Sequence, residues 1–143
     1  MNDYDTDLLA WSEHQAGLLR RHASNEIDWD NLAEEIEALG RSQKHEVRRR
    51  LARLCQHLLK WAFQPDFRSR SWRTTITMQR QELELLLEDS PSLLPFLAEA
   101  LPRAYRIGRA WAEQETGVMG LPETCPWSAE AVLEEGFLPE AHD

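Results

Sequence analysis

The feature that most constrains this chain is an apolar stripe running from Leu32 to Trp61 without losing phase. Its positions are Leu32, Ile36, Leu39, Gln43, Val47, Leu51, Leu54, Leu58 and Trp61. The steps are three or four residues, which holds one face of a helix apolar and approaches a coiled-coil seam. Asp28 is a good N-cap, and Ile27 and Leu32 on either side of it have the spacing of a hydrophobic staple. Asp30, Glu34 and Glu35 lie toward the positive end of the helix dipole. Gly40 costs ~1 kcal/mol inside a helix, but the stripe keeps phase across it. The spacing therefore predicts one helix over 29–63, ~50 Å long at ~1.5 Å per residue. Pro65 stops it.

The rest of the chain shows the same period. Thr6 can cap a helix over roughly 7–21, with Leu8, Trp11, Leu18 and Leu19 on one face. Ser69 or Ser71 opens a third helix that ends near Asp89, with Trp72, Ile76, Gln79, Leu83, Leu86 and Leu87 as its stripe. Ser90 and Pro91 have the order of a cap followed by a first helical position. The fourth helix then carries Leu94, Leu97, Leu101, Ala104, Tyr105, Gly108 and Trp111. Pro102 inside it removes one backbone bond and predicts a kink. Gly117 and Gly120 end the pattern, and a short helix follows from Ser128 to about Glu135. No stretch alternates as a strand does. The expected fold is all-α. It is a single helical-bundle domain over 1–143 with one long central helix, a proline-kinked fourth helix and a short C-terminal helix. Trp29, Leu32, Ile36, Leu51, Leu54, Leu58, Trp72, Ile76, Leu83, Leu97 and Leu101 are the expected core.

Charge narrows the function. The chain has 25 acids against 16 bases, a net charge of −9, which excludes a globally basic nucleic-acid binder. The distribution is uneven: residues 1–40 sum to −8, 41–80 to +9 and 81–143 to −10. Such a basic middle between acidic flanks suits internal neutralisation. With Cys55 and Cys125 as the only cysteines, no disulfide framework and no four-cysteine zinc site is available. No apolar run reaches the ~20 residues of a membrane span, and the acidic N-terminus does not read as a signal peptide. A cytoplasmic protein with no membrane contact is expected.

Few residues stand out as chemistry. None of the five histidines has a glutamate three residues before it, as di-iron bundles require. A long-range metal site from His14, His57 and Glu34 or Glu35 stays open as a minor alternative. Phosphate loops are absent and no cofactor is expected. Cys55 reads as a small core residue. Cys125, in a turn ahead of a helix capped near Ser128, reads as packing under that turn, with nucleophilic catalysis as the minor reading. The basic stretch is the one candidate binding feature. Arg48, Arg49 and Arg50, with nearby aromatics, suit nucleic-acid contact, but the flanking glutamates, such as Glu82, can neutralise them. Arg68, Arg70 and Arg73, in the run RSRSWR at a helix start, read as a structural clamp onto carboxylates or as an anion site.

Several stretches resemble a bacterial family, the domain-of-unknown-function family numbered 29. They are Tyr4–Trp11 (YDTDLLAW), Asp28–Ser42 (DWDNLAEEIEALGRS), His57–Pro65 (HLLKWAFQP), Arg68–Ile76 (RSRSWRTTI), Leu101–Tyr105 (LPRAY) and Glu123–Trp127 (ETCPW). Where members usually read ETCPYT, this chain has Trp127 and Ser128, which keeps an aromatic and a cap. The resemblance implies a compact helical bundle with no assigned activity or catalytic residue. A structural or protein-interaction module, engaging a protein partner or itself, is the functional expectation. Nucleic-acid or anion binding through 44–80 is the alternative, and a metal-dependent enzyme is a minority reading.

Overall fold

The computed structural model describes residues 4–6 and 8–142, except for the side chains of Leu8 and Leu9. Five α-helices follow in order: α1 Leu8–Arg20, α2 Trp29–Phe63, α3 Arg70–Asp89, α4 Leu93–Thr116 and α5 Ala129–Leu133. A 3-10 turn, Pro65–Phe67, links α2 to α3. There is no strand among the described residues, so the chain is all-α with a long central helix and a short C-terminal one. The expected capping of α1 adjoins residue 7, which lies outside the described residues, as does the Leu8 side chain expected on its stripe.

The local chemistry explains the helix ends. The Asp28 carboxylate accepts from Asn31 N (3.4 Å), and the Asp28 carbonyl accepts the first intrahelical bond from Leu32 N (2.9 Å). α2 passes through Gly40 unbroken, and a Cβ placed there would meet nothing within 4 Å. Ser69 caps α3 by accepting from Trp72 N (3.2 Å), and Ser128 caps α5 by accepting from Ala131 N (3.1 Å). Ser90 behaves differently from expectation. It ends α3, with its N–H donating to Leu86 O (2.9 Å), and its hydroxyl donates to Gln43 Oε1 (3.1 Å) on α2 instead of capping α4. Pro102 lies inside α4, which continues to Thr116 and stops at Gly117 in the left-handed region (φ 74°).

The chain divides into two compact units, residues 1–42 and 43–143. In the second, Val47, Leu51, Leu54 and Leu58 of α2 pack with Ile76 and Leu83 of α3 and with Leu97, Leu101 and Tyr105 of α4. Leu121 and Val132 close the same core. α4 lies close against α2 at Gly108. A Cβ there would run into Ala52 O and lie 3.0 Å from Gln56 N and 3.1 Å from Cys55 Cβ. Glycine is required because the two backbones meet.

The first unit has a smaller core of Trp11, Leu18 and Ile27. Two expected core residues are not buried: Trp29 is 57% exposed and Ile36 61% exposed. Leu32 and Trp72 are only half-buried. The physical reason in the first unit is supply. Among the described residues, the 13-residue α1 is the one other helix there to cover the first turns of α2. Trp29 lies over the preceding turn, its indole N–H donating to Ser24 O (3.2 Å).

Candidate functional site

Two arginines of the RSRSWR run, Arg68 and Arg73, serve the end of α2. The last carbonyls of a helix have no intrahelical partner, and a cation there is favourable. Arg68 Nε donates to Trp61 O (2.8 Å), and its guanidinium lies 4.8 Å from the centre of the Trp61 ring. Arg73 stacks on the same ring at 5.4 Å. Arg70 is exposed. Among the described residues no carboxylate forms an ion pair with Arg68, Arg70 or Arg73, so the expected carboxylate partner is replaced by a helix-end carbonyl and an indole. The next carbonyl, Ala62 O, accepts from His142 N (2.7 Å), which also brings the tail onto this end.

Arg48, Arg49 and Arg50 part company. Arg48 lies 5.1 Å from the Phe96 ring, beside Lys44 at 5.3 Å. Arg50 pairs with Glu46 (3.0 Å), approaches Glu82 (3.7 Å) and donates to Gln79 Oε1 (3.2 Å). Glu34 and Glu37 pair instead with Arg41, at 2.7 and 3.9 Å. Arg49 is exposed and borders two clefts of about 190 and 200 Å³ that share Trp111. Arg53 joins it in the first, its guanidinium 5.7 Å from the Trp111 ring, and His45 and Arg103 in the second.

Sequence reasoning missed a buried polar cluster on α2. The Lys60 ammonium is 4% exposed, 2.8 Å from Glu115 Oε1 and 4.6 Å from the Trp72 ring. Glu115 Oε2 accepts from Gln56 Nε2 (2.7 Å). The Lys60 hydrogen bond holds the Glu115 carboxyl below its ordinary range, with burial opposing. His57 Nδ1 stands 3.0 Å from Arg53 O, and burial pushes the His57 pKa down. The only sequence signal was Lys60 sitting between Leu59 and Trp61 on a helix about to be covered. Among the described residues no group of three or more histidines, cysteines or carboxylates is gathered to hold a metal.

A second missed cluster joins the two cysteines. Cys55 is fully buried in the core, and Cys125 is half-buried against that same core. The Cys125 thiol donates to Trp127 O (3.3 Å), and the two thiols act on each other's titration, Cys125 being drawn down and Cys55 pushed up. Tyr105, held by its hydroxyl donating to Pro122 O (2.6 Å), fixes the turn that carries Cys125.

The first unit presents an apolar groove of about 510 Å³ between α1 and α2. Trp11, Ala16, Leu19, Leu32, Ile36 and Leu39 line it, with Glu35 at its edge. Trp11 is fixed by donating to Asp28 Oδ2 (3.2 Å) and by an edge contact with Tyr4 at 4.9 Å. The Tyr4 hydroxyl donates to Glu35, which pushes its pKa up to about 12. Leu39 is 70% exposed and Leu19 41%.

The fold and these surfaces define an all-helical protein with an open apolar face on its first unit and a densely packed second unit. Residues 4–138 match the family described as Domain of unknown function DUF29, and the chain belongs to that family. No curated protein and no solved structure matches it. Among the described residues no helix is long and apolar enough to cross a membrane.

Proposed function

We propose that this protein is a self-associating interaction module of the cytoplasm whose contact face is the α1–α2 groove. The observation that carries this reading is the exposure of Ile36 and Leu39 on the wall of a largely apolar groove. Two large aliphatic side chains left in water on one helix face are a standing driving force for association. The charge order along α2 favours a second copy as the occupant. Acids occupy 30–37 and bases follow from Arg41 to Arg53. Two α2 helices laid antiparallel bring Ile36 of one against Leu39 of the other and Glu34 against Arg41. A parallel pair sets like charges side by side.

Sedimentation velocity over a concentration series, from low to several hundred micromolar, tests this. The wild-type chain is expected to pass from monomer to dimer. The double variant Ile36→Lys, Leu39→Lys is expected to stay monomeric with unchanged helical circular dichroism. A wild-type chain that stays monomeric throughout overturns the reading.

The Arg49 and Arg53 side chains beside Trp111 support a second reading, anion binding, since neither has a carboxylate partner among the described residues. Fluorescence of Trp111 titrated with a short oligonucleotide at two salt concentrations checks it. Salt-sensitive binding lost in Arg49→Ala, Arg53→Ala supports it, and no binding at low salt removes it.

A further inference from the structure

Cys125 lies on the wall of an open cleft of about 640 Å³, together with Leu101, Pro102, Arg106, Glu123 and Trp127. Cys125 packs against the core cluster that contains Cys55, and the two thiols are near enough to act on each other electrostatically. Three features hold the pair in place. Gly108 lets α4 sit against α2 at the level of Cys55, with only 3.1 Å from a would-be Cβ to the Cys55 Cβ. Tyr105, one turn earlier on α4, bonds Pro122 and so anchors the turn above. Buried Leu121 and Val132 then fix the two ends of the segment that carries Cys125. The chain thus places one thiol at a cleft wall and a second in the core that this wall packs against, both free.

We propose that Cys125 and Cys55 form a redox-active dithiol that is oxidised to an intramolecular disulfide by a small hydroperoxide entering this cleft. In the first step the Cys125 thiolate attacks the outer peroxide oxygen. The O–O bond breaks, and the leaving alkoxide or hydroxide takes a proton and departs as alcohol or water. Cys125 becomes a sulfenic acid, so sulfur is oxidised by two electrons and the peroxide reduced by two. In the second step the Cys55 sulfur attacks the Cys125 sulfur. The S–O bond breaks, and the hydroxyl leaves as water with the proton from Cys55. The balance is two thiols and one hydroperoxide giving one disulfide, one alcohol or water, and one further water.

The surroundings suit each role. The groups facing Cys125 are the Cys55 thiol from α2, Tyr105 and Arg106 from α4, Glu123 from its own turn and Glu130 from α5. The Cys55 thiol, donating to it, draws the Cys125 pKa down to about 7, against burial and with help from the Trp127 backbone. In the thiol form Cys125 Sγ stands 3.3 Å from Trp127 O and can donate to it. Cys55 is pushed the other way, first by its hydrogen bond to Cys125 and then by burial. Cys125, on the cleft wall, is the attacking thiol, and Cys55, sealed in the core, the resolving one. Oxidation of Cys125 removes the anion that holds the Cys55 proton, which frees Cys55 for the second step.

The test uses the full chain and hydrogen peroxide as probe, read by intact mass under native conditions. The wild-type chain is expected to lose two hydrogen atoms, with a Cys55–Cys125 crosslink in the non-reduced peptide map that a dithiol reverses. Cys55→Ala is expected to stop at the sulfenic acid, trapped by a cyclic 1,3-diketone on Cys125. Cys125→Ala is expected to show neither product. Thermal melts of both variants confirm that they are folded when treated. Cys125 left unmodified in folded wild-type protein overturns the proposal. So does oxidation of Cys125 that yields only crosslinks between chains, or the same sulfenic acid with and without Cys55.

Discussion

The two halves of α2 carry the same apolar spacing and meet opposite fates. From Val47 to Leu58 the seam is sealed by α3 and α4, with Val47, Leu51, Leu54 and Leu58 out of contact with water. From Leu32 to Leu39 it lines an open groove. The spacing makes the helix in both halves. What covers a seam depends on how many other elements its unit contains, and among the described residues of the first unit α1 is the one other helix. A seam that is identical in pattern is thus a core in one unit and a surface in the other.

The largest expected effect separates the two halves directly. Leu54→Ala should cost ~2–5 kcal/mol, the range for truncating a buried leucine, whereas Leu39→Ala should stay within ~0.5 kcal/mol. Urea unfolding of dilute protein measures both. A similar cost at the two positions breaks the comparison. Next in size is the buried cation. Glu115→Ala leaves the Lys60 ammonium buried without its carboxylate, and a loss of ~1–3 kcal/mol is expected. The double variant with Lys60→Met should recover part of it.

Glycine sharpens the contrast at smaller scale. Gly40→Ala adds a Cβ into open space within a helix and should stabilise by ~0.5–1 kcal/mol. Gly108→Ala, where the backbones of α4 and α2 meet, should destabilise. Thermal melts of the pair decide the sign of each.

The smallest effect depends on pH. His57 has its pKa lowered below 6.5 by burial, with the Lys60 charge assisting and the Arg53 carbonyl opposing. The unfolded chain therefore takes up this proton first. The contribution of neutral His57 is full above about 6.5 and is lost as pH falls toward its folded value. Glu115 adds a second loss below about 4.5, since its folded pKa is also depressed. His57→Gln should flatten the stability profile just below 6.5 and leave the lower decline in place. An unchanged profile removes His57 from the account.

Much of this is legible in the amino-acid sequence alone. The bounds of α2 followed from Asp28, the unbroken stripe and Pro65, because caps, period and proline act locally. Ser128 is legible as a cap for the same reason, and Ser69 as one of two candidates with Ser71, between which the structure selects Ser69. Ser90 was not, because its hydroxyl is drawn to Gln43, 47 residues away. Trp29 and Ile36 were read as core because periodicity reports which face is apolar and says nothing of its cover. The RSRSWR run reads from sequence as a clamp onto carboxylates or as an anion site, whereas Arg68 meets a helix-end carbonyl, a partner that no side-chain pattern displays. The Cys55–Cys125 pair and the Lys60–Glu115 pair stayed hidden because each joins residues more than fifty positions apart.

Hydrogen exchange along α2, followed by mass spectrometry or NMR at two protein concentrations, tests the central claim most directly. The account predicts that amides from Leu51 to Leu58 exchange only with global unfolding, at either concentration. It predicts that amides from Leu32 to Leu39 exchange faster in dilute protein and gain protection as concentration rises. Uniform protection along the whole helix, unchanged by concentration, would contradict it.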